Sequence, residues 1–313
     1  MPSTAFVFPG QGSQRAGMGL DLVRNWPYLQ DRYYERADEI LGFPLSELCR
    51  NGPASALREM PVTQPAVLLT SVAALDVLRT YSAEPDFVAG HSLGEFSALV
   101  CAGVLEWTDA LRLVRMRGEL MDDVSRRVPG KMAAVVGLGL TEVEELCDRA
   151  AAQSGEVVEV ANHNDLTQVV VSGQIGGIER LLELLRSTRA ERVVVLEIAG
   201  PAHCSLMQDI EQDFVTAMEQ AEFRDPRIPF YSGTTAALVR TAEEARECLR
   251  LQLTGRVRWT ELVQALGAEG VGTFVEVGPG KALGGMCRRI LPGVQTFRTN
   301  DADLLKTAVN AIV

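Results

Sequence analysis

A serine set between glycines, one of only three histidines and an arginine on an apolar helix face are the residues here that could do covalent chemistry together. Gly90-His91-Ser92-Leu93-Gly94 fits G-x-S-x-G, in which glycines allow a sharp strand-to-helix turn that thrusts the serine hydroxyl outward. Alone, the string could be an ordinary tight turn. Its flanks favour the nucleophile elbow, because an apolar strand-like run at 86–90 leads in and a helix-forming run at 95–101 leads out.

A serine hydroxyl needs an adjacent base. His91 adjoins Ser92, and neighbouring side chains at a sharp turn point in different directions. His163, in the polar stretch ANHND, reads as a loop residue. His203 remains. It follows Gly200-Pro201 at the predicted start of a helix running through CSLMQDI, where the positive end of the helix dipole disfavours imidazolium and leaves the ring able to accept a proton. No acidic residue stands out as a third member, so the expected arrangement is a dyad whose imidazole is oriented by a backbone carbonyl.

In ALRLVRMRGELM, residues Ala110, Leu113, Val114, Leu120 and Met121 form one apolar stripe, with Arg117 in its middle and Arg112 and Arg115 off it. A guanidinium on a buried face needs an anion. Either a substrate carboxylate or a permanent internal Asp or Glu would serve.

The elements that must position these residues alternate. Strand-like runs at 4–8, 86–90, 228–231, 273–277 and 295–298 are separated by helical stretches, one of them at 109–124 with Thr108 or Asp109 as N-cap, which predicts a mainly parallel sheet covered on both faces. Between Pro129-Gly130 and Gly200-Pro201 the rhythm changes. Strand 132–137, helix 141–153, strands 157–161 and 168–172, helix 175–187 and strand 192–198 spell βαββαβ, the order of a ferredoxin-like unit. The expected organisation is a large domain of residues 1–128 and 200–313 with an inserted subdomain, 129–199.

Composition narrows the function. With 47% hydrophobic and 23% charged residues the chain is globular, and a formal charge of -11 argues against nucleic acid as partner. Six cysteines without a CxxC pair suit neither a zinc site nor a disulfide framework, and no metal is expected. No basic leader precedes an apolar run at the N-terminus, and no segment reaches the roughly 18 uncharged apolar residues of a membrane span, so a cytoplasmic protein is expected.

Five stretches, FVFPGQGSQ at 6–14, GHSLGEFSALVCAG at 90–103, RMRGELM at 115–121, PAHCSLM at 201–207 and VGPGKALG at 277–284, together resemble the malonyl-CoA:acyl carrier protein transacylase family, in its order and spacing from about residue 4 to 290. The resemblance implies an α/β-hydrolase-like large domain with an inserted ferredoxin-like subdomain. It also implies transfer of malonyl from malonyl-CoA to the phosphopantetheine thiol of an acyl carrier protein by a ping-pong cycle, with a coenzyme A thioester as substrate and no cofactor. Carried over by position, Ser92 is the acylated nucleophile, His203 the base, Arg117 the ligand of the malonyl carboxylate, Gln11 and Leu93 the oxyanion-hole amides, and Gln252 the residue whose carbonyl orients His203. Ala202 departs from the serine or phenylalanine of many relatives and leaves room for a 2-substituted malonyl unit.

The rival enzyme is an acyl hydrolase acting on carrier proteins; Arg117 speaks against it, because a monocarboxylic thioester offers no second anion. A silent docking module would not need both Ser92 and His203. An acidic carrier protein would need a local basic patch, for which Arg186, Arg189, Arg192, Lys281, Arg288 and Arg289 are candidates.

Overall fold

The computed structural model describes residues 3–197 and 200–313. Numbered along the chain, its strands are β1 (Ser3–Phe8), β2 (Phe87–Gly90), β3 (Gly130–Val136), β4 (Val158–Asp165), β5 (Gln168–Gln174), β6 (Arg192–Val195), β7 (Phe230–Tyr231), β8 (Leu238–Val239), β9 (Val271–Glu276) and β10 (Gln295–Arg298). One sheet has the order β10-β9-β1-β2-β7-β8, in which every pairing is parallel except the hairpin of β7 with the short edge strand β8. Residues Ala5 to Phe8 of β1 are all fully buried, because helices cover both faces of a parallel sheet and each face demands an apolar side chain.

The largest part of the core forms where the apolar helix Met60–Thr80 meets Trp107–Arg127. These two come close at Gly118, where a Cβ would lie 2.6 Å from the Met60 carbonyl oxygen. Met60–Thr80 is long and apolar enough to cross a membrane, but 89% of its most apolar window is buried inside the protein.

The second sheet, β4-β5-β3-β6, is antiparallel throughout and carries the helices Leu140–Ser154 and Ile175–Leu185 on one face. Strand alternation divides its side chains: Ala133, Val135, Val169 and Val171 pack against those two helices, while Met132 and Val170 turn the other way and join the large core. This is the strand order of a ferredoxin-like unit, as the βαββαβ pattern predicts.

Several local expectations need correction. The helix carrying Arg117 begins at Trp107 after Glu106, without a side-chain cap from Thr108 or Asp109. The strand expected at 192–198 is observed as Arg192–Val195, and Ile198 lies outside the described residues. His163 is not in a loop but on β4, which continues through the polar ANHND stretch to Asp165. The reason is tertiary. Beyond Val160 the strand is gripped from the other sheet's side, with Val257 N–H donating to the Ala161 carbonyl at 2.8 Å and His163 N–H to the Val257 carbonyl at 2.8 Å. Thr260 Oγ1–H bonds the His163 carbonyl at 3.1 Å, and Arg289 Nε reaches the buried Asp165 carboxylate at 2.7 Å.

Candidate active site

β2 runs into the elbow and the helix Gly94–Cys101 leaves it, with Ser92 held between them at a φ of 54°. Left-handed backbone at a serine is strained, and the surroundings enforce it. A Cβ at Gly90 would fall on the Glu95 backbone nitrogen, and one at Gly94 on the Phe8 carbonyl oxygen, so both flanking positions exclude any side chain. The tightness of this turn brings Ser92 Oγ within 2.6 Å of His203 Nε2.

His203 also has a positive φ, 56°, and is buried. It precedes a short 3₁₀ turn, Ser205–Ile210, rather than opening an α-helix, so the helix-dipole argument for a neutral ring does not apply. Other causes act instead. Burial first, and then the nearby positive charge of Arg117, push the imidazole down to about 3, while carbonyl acceptors pull the other way. Those acceptors are the backbone oxygens of Gln252 at 2.9 Å and Gly255 at 3.2 Å, both facing Nδ1. Nδ1 therefore carries the hydrogen and Nε2 the lone pair, which can take the Ser92 proton.

Of the other two histidines, His91 points away and meets Asn164 Oδ1 through Nε2 at 2.8 Å. His163 Nδ1 lies 3.0 Å from Glu261 Oε2. Neither reaches Ser92.

A cavity of 510 Å³ opens over the pair, lined by Gln11, His91, Ser92, Arg117, Asn162, Ala202, His203 and Lys281 among others, with Met121, Met132, Val170 and Leu196 as its apolar wall. Both sheets contribute. The Gln11 loop approaches because Gly10 packs directly on the elbow, where a Cβ would lie 2.5 Å from the His91 carbonyl oxygen. Among the described residues, neither the Gln11 nor the Leu93 backbone N–H is engaged by a protein acceptor. Leu93 stands at the N-terminal end of the helix after the elbow, where unpaired amides can receive a developing negative charge.

Arg117 is 2% exposed. Its Nη1 donates to Gln64 Oε1 at 2.8 Å, whereas Nε and Nη2 have no acceptor among the described residues. Among the described residues no carboxylate lies within ion-pair distance of it, so the permanent internal pair weighed above is absent. Burial lowers its pKa to about 10, with buried Glu95 acting in the opposite sense, and the guanidinium stays charged at neutral pH. Arg115, itself partly exposed, is tied to Glu119 at 2.6 Å and the Pro61 carbonyl at 2.9 Å.

A larger cavity of 590 Å³ lies elsewhere, between Arg32, Asp76, Arg79 and Arg227. It has no nucleophile paired with a base; Arg79 is engaged with Glu84 at 3.3 Å and Arg32 with Asp76 at 3.5 Å.

The sequence matches the Acyl transferase domain family over residues 5–292. It is 37% identical to the malonyl CoA-acyl carrier protein transacylase of Bacillus subtilis, covering 100% of this chain and 98% of that protein. With the enzyme of the same name from Haemophilus influenzae the identity is 38%, over 96% of each. The chain belongs to the malonyl CoA-acyl carrier protein transacylase family.

Solved structures of the transacylase family share the architecture. The malonyl CoA-acyl carrier protein transacylase of Coxiella burnetii superposes with a TM-score of 0.95 at 33% identity, over 100% of this chain and 98% of that one. A malonyl-transacylase solved in complex with its type II PKS acyl-carrier protein gives 0.94 at 36% identity, over 99% of each chain.

Three polar residues of this transacylase-family site escape sequence reasoning. Gln64 holds Arg117 and is fully buried on the apolar Met60–Thr80 helix, where a lone amide in an apolar run is the one available signal. Glu276, at the end of β9, accepts the Ala282 and Gly284 amides at 3.2 Å each and shapes the loop that carries Lys281. Glu95, one residue beyond the second glycine of the elbow, is 1% exposed. A carboxylate opening an otherwise apolar helix was its signal.

Proposed function

We propose that this chain transfers a malonyl group from malonyl-CoA to the phosphopantetheine thiol of an acyl carrier protein through an ester on Ser92. The observation that carries this reading is the Ser92–His203 pair at 2.6 Å in the same cavity as a buried arginine with two N–H-bearing nitrogens lacking acceptors. A malonyl thioester brings both groups required: a carbonyl for the serine and a free carboxylate for the guanidinium. Bidentate pairing suits arginine, and an anion there satisfies a buried charge that otherwise has, among the described residues, Gln64 alone as hydrogen-bond partner.

In the first half-reaction Ser92 Oγ attacks the thioester carbon as its proton passes to His203 Nε2. Negative charge collects on the carbonyl oxygen, where the Gln11 and Leu93 amides receive it; losing one such donor typically costs about a hundredfold or more. The C–S bond then breaks and the imidazolium returns the proton to the departing CoA sulfur. In the second half the carrier thiol gives its proton to His203, its sulfur attacks the ester carbon, and the C–Oγ bond breaks with reprotonation of Ser92. The Gln252 and Gly255 carbonyls steady the imidazolium in each half. Arg117 opposes it, and a malonyl carboxylate on Arg117 relieves that opposition, so the substrate's own anion makes His203 a better base.

The same reading divides the chain into residues 1–128 with 200–313 and an inserted unit, 129–199, supported by the antiparallel sheet that β3 to β6 form between Gly130 and Val195. A cytoplasmic setting fits six buried free thiols and a hydrophobic helix used as core. A second reading, transfer of a 2-substituted malonyl unit, is favoured by Ala202, whose small side chain faces the cavity beside Met121, Met132 and Val170.

Intact-mass spectrometry with malonyl-CoA, methylmalonyl-CoA and acetyl-CoA tests the proposal. A malonyl adduct that vanishes in Ser92→Ala and passes to phosphopantetheinylated carrier protein is expected; an adduct released to water in the presence of carrier would make the protein a hydrolase.

A further inference from the structure

In the first turn of the helix that leaves the elbow, a buried carboxylate outside the cavity lining is connected to both members of the dyad. Glu95 Oε1 accepts the Gly233 amide at 2.8 Å, and Oε2 accepts the side-chain amide of Gln252. The Gln252 side chain is the joint of the assembly, because the same Nε2 also donates to the Ser92 carbonyl at 3.0 Å. The backbone of Gln252 carries the other connection, its carbonyl accepting from His203 Nδ1 at 2.9 Å. One residue of the helix Ala242–Gln252 thus holds the serine by its side chain and the histidine by its main chain.

We propose that Glu95 is a positioning residue for the Ser92–His203 pair, acting through Gln252. This rests on the transferase reading above. The geometry has a direction: Gln252 Oε1 is buried with no partner among the described residues, so the amide is oriented by what its nitrogen gives, to Glu95 and to Ser92, rather than by what its oxygen receives. A carboxylate that only accepts fixes this orientation. A protonated carboxyl at the same place can donate to Gln252 Oε1 if the amide turns over, and a turned amide no longer holds Ser92.

The groups facing Glu95 are Arg117 from Trp107–Arg127, Cys248 and Gln252 from Ala242–Gln252, and Ser232 with Gly233 just after β7; His203 lies beyond Gln252. Burial raises the Glu95 carboxyl to about 7 against the pull of Ser232, Gln252, Gly233 and Arg117. The His203 imidazole protonates only at about 3. A malonyl carboxylate on Arg117 lifts His203 from that low value, so the assignment of an acid limb near neutrality in serine acylation to Glu95 is decided by whether the limb disappears in Glu95→Gln.

The experiment measures pre-steady-state acylation of Ser92 by the malonyl thioester of N-acetylcysteamine, which has no phosphate to titrate, from pH 4.5 to 9. Wild type, Glu95→Gln, Gln252→Met and the double variant are compared. The wild type is expected to lose rate as pH falls through about 7. Glu95→Gln should lower the maximal acylation rate about tenfold to a hundredfold, the scale of a small misplacement of reacting groups, with the substrate's half-saturation unchanged and the limb near 7 gone. Gln252→Met keeps the backbone carbonyl and should do the same, and the double variant should be no slower than the slower single one.

A limb near 7 that persists in Glu95→Gln, or additive losses in the double variant, would overturn the proposal. So would a raised half-saturation with unchanged maximal rate, which would make Glu95 only the counter-charge of Arg117. Should Glu95→Gln not fold, Gln252→Met decides alone: full rate with the limb intact refutes the role. If the wild type forms no malonyl ester at any pH, the transferase reading itself has failed, and that outcome is distinct from the others.

Discussion

Removing the Arg117 guanidinium should separate binding of the acyl group from its activation. Arg117→Ala is expected to lower kcat/KM for malonyl-CoA by about a hundredfold, the effect of leaving a carboxylate unpaired in a buried site. It should leave acylation by acetyl-CoA unchanged or faster, since the charge that depresses His203 is gone. Initial rates with the two thioesters check both statements, and equal losses would argue against a specific ion pair. The residues behind this prediction were largely legible in the sequence. Ser92 announced itself by its glycines, His203 by elimination among three histidines, and Arg117 by standing in an apolar stripe. Gln64 and the contacts of Glu95 were not, because a buried polar group declares its partner only when distant helices meet; Glu95 and Gln252 are 157 residues apart.

Among the elements, the strand-to-helix turn after β2 has the least tolerance for change. Gly94→Ala would drive a methyl group into the Phe8 carbonyl and should abolish activity with a loss of stability of about 3 kcal/mol or more, read by urea denaturation. Gly118→Ala probes a different contact. It should separate Trp107–Arg127 from Met60–Thr80 and move Arg117 relative to Ser92, raising KM for malonyl-CoA several-fold in initial-rate assays and costing about 1–3 kcal/mol of stability in urea denaturation. The long parallel strands were legible because burial on both faces leaves continuous apolar runs. The end of β4 was not, since its Asn, His and Asp side chains read as loop while their backbone pairs with β5 and, at Ala161 and His163, also bonds Val257 from outside the sheet. Two-residue β8 is shorter than any periodicity can register.

For the whole molecule, two buried groups give stability opposite dependences on pH. His203, depressed from 6.5 to about 3, contributes stability above pH 6.5 that is lost as pH falls toward 3. Glu95, raised from 4.5 to about 7, costs stability increasingly as pH rises from 4.5 to 7 and no further above it. Glu95→Gln removes only the second effect, so its unfolding free energy relative to wild type should improve between pH 4.5 and 7, by on the order of 3 kcal/mol, and then level off. Urea titrations at four pH values measure this. Surface charge acts separately. Among the described residues Arg289 is committed to Asp165 and Arg288 bonds Thr296 alone, so Arg288→Glu is the clean test of the candidate basic patch and should raise the KM for carrier protein several-fold without altering acylation by malonyl-CoA.

The grip on the end of β4 also has a thermodynamic side. Two backbone hydrogen bonds to Val257, the Thr260 hydroxyl and the Arg289–Asp165 pair tie down the end of β4, whose Asn162 and Asn164 line the cavity walls. The ordering of those walls is then completed once, when the chain folds, and is not repeated for each of the two acyl transfers in a cycle. Two successive guests of very different size, a nucleotide thioester and a protein, thus meet the same prepared cleft.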